Sequence, residues 1–291
     1  MSSFFSVDHD LCISCGKCIK ECGGHVKIQN SIHVEPGNSE CSGCLHCYTV
    51  CPKGAIKLNN PLKAPDLDFS VIGDIREKSL SSFLAFRRSI RSYRAKLVED
   101  EIIKLLIDRS RYIPSGGNSH SYEFTILKSD AVKSQIREEL KRIYKFRERL
   151  LNNPLLRTIA KPFVNSQMKE FLKSDIYRAR MKELVARIYE GDDPFFHNSP
   201  AVIIIHSKEL IPTPKEDAIL AGYNICMIAQ TLGLGACFVT LAQNAFNGSR
   251  RCKEILKIPS HSNVYAVVTI GYTDVVHKRI APKPLKAISW V

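Results

Sequence analysis

The sequence predicts an α+β chain of two domains: a small one with internal pseudo-twofold symmetry, then an α/β domain with a central sheet flanked by helices. Two observations support this. Eight of the eleven cysteines fall between Cys12 and Cys51, in a pattern that occurs twice. In the rest of the chain, segments with helical and strand periodicity alternate. We place the domains at residues 1–60 and 83–291, with a linker at 61–82.

The first domain is an internal repeat of a C-x2-C-x2-C-x3-C motif. At a constant offset of 29 residues, its two copies supply Cys12, Cys15, Cys18 and Cys22, and then Cys41, Cys44, Cys47 and Cys51. A short strand-like run follows each copy, at Val26–Ile28 and Ile56–Leu58. Three thiolates in a tight loop with a fourth farther away are suited to an iron–sulfur cluster. A pair of zinc sites, or structural thiols, is the alternative interpretation.

This doubled motif resembles that of the bacterial-type ferredoxins, which hold two [4Fe-4S] clusters and pass electrons singly. In that family the fourth cysteine of each motif binds the other motif's cluster. The resemblance therefore implies one cluster held by Cys12, Cys15, Cys18 and Cys51, and another held by Cys41, Cys44, Cys47 and Cys22. One departure concerns the second of these clusters. Pro52 follows one motif as in the family, whereas Gly23 and Gly24 follow Cys22, which we expect to alter the potential without removing a ligand.

The second domain shows eight periodic segments. In some of these segments apolar residues recur at helical spacing, and in the others they form the short runs that are typical of buried strands. The pattern predicts helices over Glu99–Asp108, Ala131–Leu151, Met168–Tyr189 and Asp217–Leu232, and strands over Glu123–Leu127, Pro200–His206, Gly235–Val239 and Val264–Gly271.

Four segments of this domain carry side chains suited to binding a phosphorylated cofactor. Phe86–Tyr93 contains three arginines and two serines, and arginine matches phosphate oxygens with two parallel hydrogen bonds. Pro114–His120 is a glycine-rich polar loop that can bring backbone close to a ligand. Gly233–Thr240 joins a helix to a strand, and Lys278–Leu285 adds a basic C-terminal segment.

In this order, the four segments resemble the FMN-dependent nitroreductase family over residues 83–291. The resemblance implies FMN as cofactor, bound by Arg87, Arg88, Ser89, Arg91, Pro114, Ser115, Gly116, Asn118, Thr240, Leu241, Arg279 and Lys283. It implies no particular catalytic acid or base. Two departures affect the substrate side of the site: Thr240 stands where some members have Glu, and His120 where many have Gln.

The resemblance also implies a role for each residue. The FMN phosphate would be held by Arg87 and Lys283, with Arg279 as a further candidate and a hydrogen bond from Ser89. The other positions concern the ring: Arg91 would lie at its pyrimidine edge, and the Thr240–Leu241 backbone would approach N5. Pro114, Ser115, Gly116 and Asn118 would reach the flavin of the other subunit, which implies a homodimer. Without the resemblance, the arginines would be a solvated helix face and Pro114–Ser119 an ordinary turn.

Together the two domains predict an iron–sulfur flavoprotein oxidoreductase. Electrons would pass from a low-potential donor such as reduced ferredoxin through the clusters to FMN, and on to a nitroaromatic, a quinone or a similar small organic acceptor. In one alternative NAD(P)H is the donor and the clusters are accessory. In another the protein is a non-enzymatic electron carrier or redox sensor.

Charge and hydropathy limit the partners. The net charge of +13 arises entirely after residue 60, and residues 133–187 hold fifteen Lys or Arg against six Asp or Glu. This basic stretch predicts a solvated face or a docking surface for an acidic ferredoxin, and without a recognised motif we expect no nucleic-acid partner. The longest apolar run, Ala201–Ile205, has the length of a strand, so we expect no membrane partner. Residues 1–6 lack signal-peptide features, which predicts a cytoplasmic protein.

Overall fold

The structure, a computed structural model, describes residues 5–22, 26–29, 33–36, 41, 43–59, 70–163, 166–208 and 212–290. The chain divides into two compact units. The first comprises Met1–Arg76 with Gly117–Ser119, and the second comprises Glu77–Gly116 with His120–Val291. No helix within the described ranges is both long enough and apolar enough to cross a membrane.

The first unit repeats a strand–helix–strand arrangement. Its elements are β1 (Phe5–Val7), α1 (Lys17–Glu21), β2 (Val26–Gln29), β3 (His33–Pro36), α2 (His46–Val50) and β4 (Ile56–Leu58). The outer strands β1 and β4 pair antiparallel, and so do the inner strands β2 and β3. Phe5 and Ile56 are buried together with Cys18 and Cys47, which forms a small core between the halves. The predicted pseudo-twofold architecture is confirmed.

The second unit alternates helices and strands. Its elements are α3 (Glu77–Phe86), α4 (Asp100–Ser110), β5 (Tyr122–Leu127), α5 (Asp130–Asn152), α6 (Pro154–Ala160), α7 (Ser166–Lys173), α8 (Asp175–Tyr189), β6 (Ala201–Lys208), α9 (Pro214–Thr231), β7 (Leu234–Phe238), α10 (Thr240–Asn247), α11 (Arg250–Ile255) and β8 (Ser262–Tyr272). The four strands form one antiparallel sheet in the order β5-β6-β8-β7.

Helices cover both faces of this sheet. The central strand β6 is buried from its first residue through Ser207, and its first five residues, Ala201–Ile205, form a continuous apolar run rather than an alternating one. Because successive strand residues point to opposite faces, Val202 and Ile204 pack in a core with α5, α8 and α10, and Ile203 and Ile205 in a core with α4 and α9. The predicted α/β domain with a flanked central sheet is confirmed.

One predicted helix is divided in the structure. The helix predicted over Met168–Tyr189 is two helices, α7 and α8, separated at Ser174. The Ser174 side chain accepts a hydrogen bond from the Tyr177 backbone N–H at 3.2 Å, so it caps the second helix. Helix α3 begins at Glu77, within the segment 61–82, and Ser81 donates a 2.7 Å hydrogen bond to the Glu77 carboxylate inside this helix.

Candidate cofactor sites

The two cysteine loops have left-handed residues at matching positions. Ser14 and Gly43, which are 29 residues apart, both have positive φ angles, of 54° and 66°. The next such pair, Gly16 and Leu45, has φ angles of 72° and 62° and precedes α1 and α2 respectively. In the second loop the Gly43 N–H donates a 3.4 Å hydrogen bond to Cys41 Sγ, so the left-handed turn there brings a backbone donor to a cysteine sulfur.

The structure brings the predicted cluster ligands together in two groups. Cys12, Cys15, Cys18 and Cys51 line one cavity. Burial raises the pKa of Cys18, and the neighbouring Cys51 and Cys15 raise it further. Burial likewise raises the pKa of Cys47 to about 11, with contributions from Cys22, Cys41 and Cys44. The groups therefore combine three thiols of one motif with the last thiol of the other.

Backbone hydrogen bonds stabilise the thiolate form of Cys51. Burial raises the pKa of this thiol, but hydrogen bonds from the backbone N–H groups that follow it outweigh burial and lower its pKa overall. One of these bonds, from Ala55 N–H to Cys51 Sγ, is 3.3 Å long. Within the described ranges, no group of His, Cys, Asp and Glu is arranged to hold a single metal ion. The Gly23–Gly24 departure lies outside the described residues.

In the second unit, the arginine-rich segment runs along the sheet edge at β7. The Ile90 backbone N–H donates to Ala236 O at 3.0 Å, and the Arg94 N–H donates to Tyr272 O at 2.7 Å. The buried Ile90 side chain packs against Gly235, where an added Cβ would lie 2.6 Å from Ile90 Cγ2. These contacts fix the backbone between the predicted phosphate ligands.

Arg87 and Arg88 line a cavity of about 290 Å³ next to this segment. The rest of its wall comes from the last turn of α3, the C-terminal half of α9, β7 and the chain after β8, including Gln230, Thr273 and His277. Neither Arg87 nor Arg88 forms an ion pair with a described carboxylate, so both guanidinium groups are available to an anion. Ser89 lies between them and Ile90 and is half-buried.

Arg91 is exposed and lies on another side of the segment, near the turn before β6. The backbone there is unusual, because His197 and Asn198 have consecutive positive φ angles of 51° and 52°. Burial lowers the pKa of His197, and the positive charge of Arg91 lowers it further. The turn is held by Asp193, whose carboxylate accepts hydrogen bonds from the Phe196 and Asn198 N–H groups at 3.0 Å each.

The remaining predicted FMN residues lie in three places. The loop with Pro114, Ser115, Gly116 and Asn118 forms a 3-10 turn before β5, and Asn118 has a φ of 55°. Thr240 is the exposed first residue of α10, and the Leu241 carbonyl accepts a 2.9 Å hydrogen bond from the Tyr144 hydroxyl. Arg279 and Lys283 are exposed in the extended segment after β8 and do not line the cavity of Arg87.

Comparison with known proteins identifies both units. Residues 84–272 match the model of the nitroreductase family. The chain belongs to this family. Residues 5–52 match a 4Fe-4S dicluster domain, so the nitroreductase domain follows an iron–sulfur domain on one chain. The two resemblances drawn from the sequence are confirmed.

Individual relatives agree with this assignment. Ferredoxin-3 of a Nostoc species is 32% identical over 77 residues, which are 20% of this chain and 78% of the relative. Iodotyrosine deiodinase of Thermotoga neapolitana is 22% identical over 200 residues, 68% of this chain and 90% of the relative. An FMN-bound nitroreductase structure from Desulfitobacterium hafniense is 17% identical with a TM-score of 0.52, covering 74% of this chain and all of its own. At that identity the structure shows the fold alone.

Several residues of the nitroreductase domain escaped the sequence prediction. Gln230 lines the cavity with Arg87 and donates a 3.2 Å hydrogen bond to Phe83 O. Cys226 also lines this cavity, and its burial raises its pKa to about 12. Such residues carry no local signal, because α9 positions them by packing against segments far away in the sequence.

The basic stretch is partly neutralised by carboxylates within it and just beyond its two ends. Of its fifteen Lys and Arg residues, at least seven form ion pairs: Lys133, Arg137, Arg142, Lys145, Lys173, Arg178 and Arg187. The most buried partner is Asp193, which binds Arg137 at 2.8 Å and is itself part of the turn beside Arg91. Two of these residues therefore serve the packing of α5, since Lys133 also donates to the carbonyl of Ser199 at 3.1 Å.

Proposed function

We propose that this nitroreductase is an FMN-dependent, ferredoxin-linked oxidoreductase. It passes electrons from a low-potential donor through two [4Fe-4S] clusters to FMN and on to a nitroaromatic, a quinone or a similar acceptor. One observation carries the proposal: two groups of four thiols, each drawn from both motifs, lie on the same chain as a nitroreductase domain. A flavin, when bound, accepts electrons one or two at a time, which links single-electron clusters to two-electron acceptors.

The first unit fits two clusters in donor chemistry and backbone shape. We assign Cys12, Cys15, Cys18 and Cys51 to one cluster, and Cys41, Cys44, Cys47 and Cys22 to the other. Left-handed turns at the same position of each loop leave room for backbone N–H groups to approach sulfur. The N–H groups that lower the pKa of Cys51 stabilise its thiolate, the form that binds iron.

The second unit fits FMN. The cavity beside Arg87 and Arg88 is lined by two guanidinium groups without a carboxylate partner among the described residues, as expected for a phosphate subsite completed by Ser89, Arg279 and Lys283. Arg91 would stabilise negative charge on the reduced ring. Thr240 and Leu241 lie at the start of α10, just after the C-terminal end of β7. They would approach the ring from that end, whereas the phosphate would lie at the N-terminal end of β7.

The exposed apolar surface supports a homodimer, in which Pro114, Ser115, Gly116 and Asn118 complete the neighbouring flavin site. On α9, Ile219 and Tyr223 are one helical turn apart and are 40% and 38% exposed. In the C-terminal segment, Leu285 and Trp290 are 86% and 90% exposed. Side chains this apolar are stabilised by about 25 cal/mol for each Å² that an interface buries.

Anaerobic turnover tests the electron path. Purified holoprotein is mixed with a nitroaromatic or a quinone, and with either chemically reduced ferredoxin, NADH or NADPH as the donor. We expect multiple turnovers with ferredoxin, and stopped-flow traces in which the cluster absorbance bleaches before that of the flavin. Flavin bleaching by NAD(P)H ahead of the clusters would instead establish a nicotinamide donor, and a single turnover would indicate an electron carrier.

A ligand variant provides the control for this path. Cys15→Ser removes one thiolate of the Cys12 group, so ferredoxin-driven turnover should be lost while FMN stays bound, because Arg87, Arg91 and Thr240 lie in the other unit. Lys57→Ala, an exposed change on β4 of the same unit, should turn over like the wild type. Unchanged ferredoxin-driven turnover in Cys15→Ser would contradict the proposed path.

A further inference from the structure

A chain of three groups ties the Pro114–Asn118 loop to the start of α9. The Gly116 backbone N–H donates to Thr213 Oγ1 at 2.9 Å, and the Thr213 hydroxyl donates in turn to Asp217 Oδ1 at 2.8 Å. Thr213 therefore acts as acceptor and donor at once, which only a hydroxyl can do at this position. It lies 97 residues from Gly116 in the sequence, so the contact is a tertiary one.

Steric fit makes the contact specific to glycine. A Cβ built on Gly116 would lie 2.2 Å from Thr213 Oγ1 and 3.1 Å from Thr213 Cγ2. Any other residue would push the hydroxyl away from the loop backbone. Glycine at position 116 is thus explained by the close approach of Thr213.

The loop that this contact holds has an uncommon shape. Gly117, Asn118 and His120 have φ angles of 59°, 55° and 40°, in the left-handed region that non-glycine residues rarely adopt. The His120 N–H also donates to Ser115 Oγ at 3.2 Å, which closes the loop on itself. A backbone of this kind persists only where surrounding contacts determine it.

Asp217 is an unexpected residue for its surroundings. It is 2% exposed, and the other buried positions of α9 are apolar, glycine or alanine. Its second oxygen, Oδ2, and the buried hydroxyl of nearby Tyr122 have no hydrogen-bond partner within the described part of the chain. An apolar residue here would avoid this desolvation cost. The contribution of Asp217 is therefore its hydrogen bond with the Thr213 hydroxyl rather than stabilisation of the core.

We infer that Thr213 and Asp217 are positioning residues for the FMN site: they hold Gly116, and with it the Pro114–Asn118 loop, in the shape that the neighbouring subunit's flavin requires. This inference rests on the proposed function, because it assigns the loop to the flavin. Asp217 orients the Thr213 hydroxyl by accepting its hydrogen, which leaves the hydroxyl's lone pair directed at Gly116.

The experiment compares Thr213→Val with Thr213→Ser. Valine has the shape of threonine without the hydroxyl, and serine keeps the hydroxyl. FMN affinity of the flavin-depleted, cluster-loaded protein is measured by fluorescence titration, together with its unfolding temperature before FMN is added. We expect the FMN dissociation constant to rise about tenfold in Thr213→Val and to stay within about twofold of wild type in Thr213→Ser.

The two readouts separate positioning from stability. A structural role alone would lower the unfolding temperature of Thr213→Val and leave FMN affinity unchanged, and this result would overturn the inference. If Thr213→Val does not fold, Thr213→Ala, which avoids a methyl group at the hydroxyl position, is titrated in its place, and failure of both to fold would also overturn it. Wild-type protein that binds no FMN would refute the proposed function itself, whereas tight binding by wild type and Thr213→Val alike would refute only the positioning role.

Discussion

At the residue scale, the FMN-site proposal depends on one buried isoleucine between charged neighbours. Ile90 anchors the arginine-rich segment by a backbone hydrogen bond to Ala236 and by packing on Gly235. Arg87 and Arg88, which precede it, line the cavity, and Arg91, which follows it, lies near His197. The anchor thus divides the arginines between two environments, one suited to a phosphate and one to a ring edge.

Gly235→Ala should loosen this anchor. The added Cβ would lie 2.6 Å from Ile90 Cγ2 and 2.9 Å from Ile90 Cβ, and the branch point cannot rotate away. We expect a loss of about 1–3 kcal/mol in the free energy of unfolding and weaker FMN binding, measured by urea denaturation and by titration. Gly73→Ala is the matched control, because its Cβ would meet nothing within 4 Å. Equal stability of the two variants would show that Ile90 is not held in this way.

Arg87→Ala should weaken FMN binding without affecting the clusters. Removal of a charge-assisted contact to the phosphate is expected to cost about 1.5–3 kcal/mol of binding free energy. The measurements are flavin retention after dialysis and iron content. Arg180→Ala, an exposed change on α8, controls for the loss of one positive charge. Flavin retention equal to that of the control would remove Arg87 from the phosphate site.

Sequence patterns predicted residues such as Arg87 because their chemistry is visible locally. Thr213 and Gln230 were not predicted, since their roles arise from contacts with Gly116 and Phe83, more than ninety residues away. Thr213 precedes Pro214, the first residue of α9, and this pairing is common at the start of a helix. From the sequence alone it therefore indicates only where a helix begins. Local sequence therefore predicts groups whose chemistry suits a cofactor, whereas the contacts of Thr213 and Gln230 appear only in the folded chain.

At the element scale, periodicity located the four strands and the longest helices of the second unit, α5, α8 and α9 among them, but it missed the break between α7 and α8. Apolar spacing continues through Ser174, so nothing in the periodicity separates α7 from α8. The break follows from a capping hydrogen bond, which serine provides only when the chain turns there. Short helices such as α6 and α11 were also missed, because six or seven residues are too few to show a period.

Strand β6 predicts a pH dependence of stability. His206 is 3% exposed, its Nε2 lies 3.0 Å from the Thr125 hydroxyl, and burial lowers its pKa, with nearby Lys253 lowering it and Glu123 raising it. The unfolded chain, with a histidine pKa of about 6.5, then binds more protons than the folded one, so stability should fall as the pH falls below about 6.5. His206→Gln should flatten this slope. Urea midpoints of both proteins across this pH range provide the test, and parallel slopes would exclude His206 as the source.

At the scale of the whole molecule, charge is distributed unevenly between the units. Residues 1–60 carry no net charge, and the remainder carries the full +13. Each oxidised cluster with four thiolates adds roughly −2, so the loaded first unit would be acidic and the second basic. This asymmetry was evident from composition, whereas the local pairing of Lys133 and Arg137 with carboxylates required the structure.

The C-terminal segment predicts how the proposed dimer is held. It contains no helix or strand within residues 273–290, and Leu285, Ile288 and Trp290 are all more than half exposed. Deletion of residues 284–291 should release both dimerisation and FMN while leaving the clusters intact, as measured by sedimentation velocity and visible absorbance. Lys286→Ala, which keeps the apolar residues, should stay dimeric. A truncated protein that remains dimeric and flavin-loaded would show that this segment is not the clasp.

The pairing of β1 with β4 has a consequence for biosynthesis. The first strand of the iron–sulfur unit pairs with the last one, with Phe5 opposite Leu58, so the two ends of this unit lie side by side. During synthesis the N-terminal half leaves the ribosome first. At that stage β1 lacks its partner β4, and Cys12, Cys15 and Cys18 lack Cys51, which completes their group. Pairing of β1 and completion of the Cys12 group by Cys51 therefore both require synthesis to have passed Leu58, so the first half of this unit cannot complete its fold before the second half has been made.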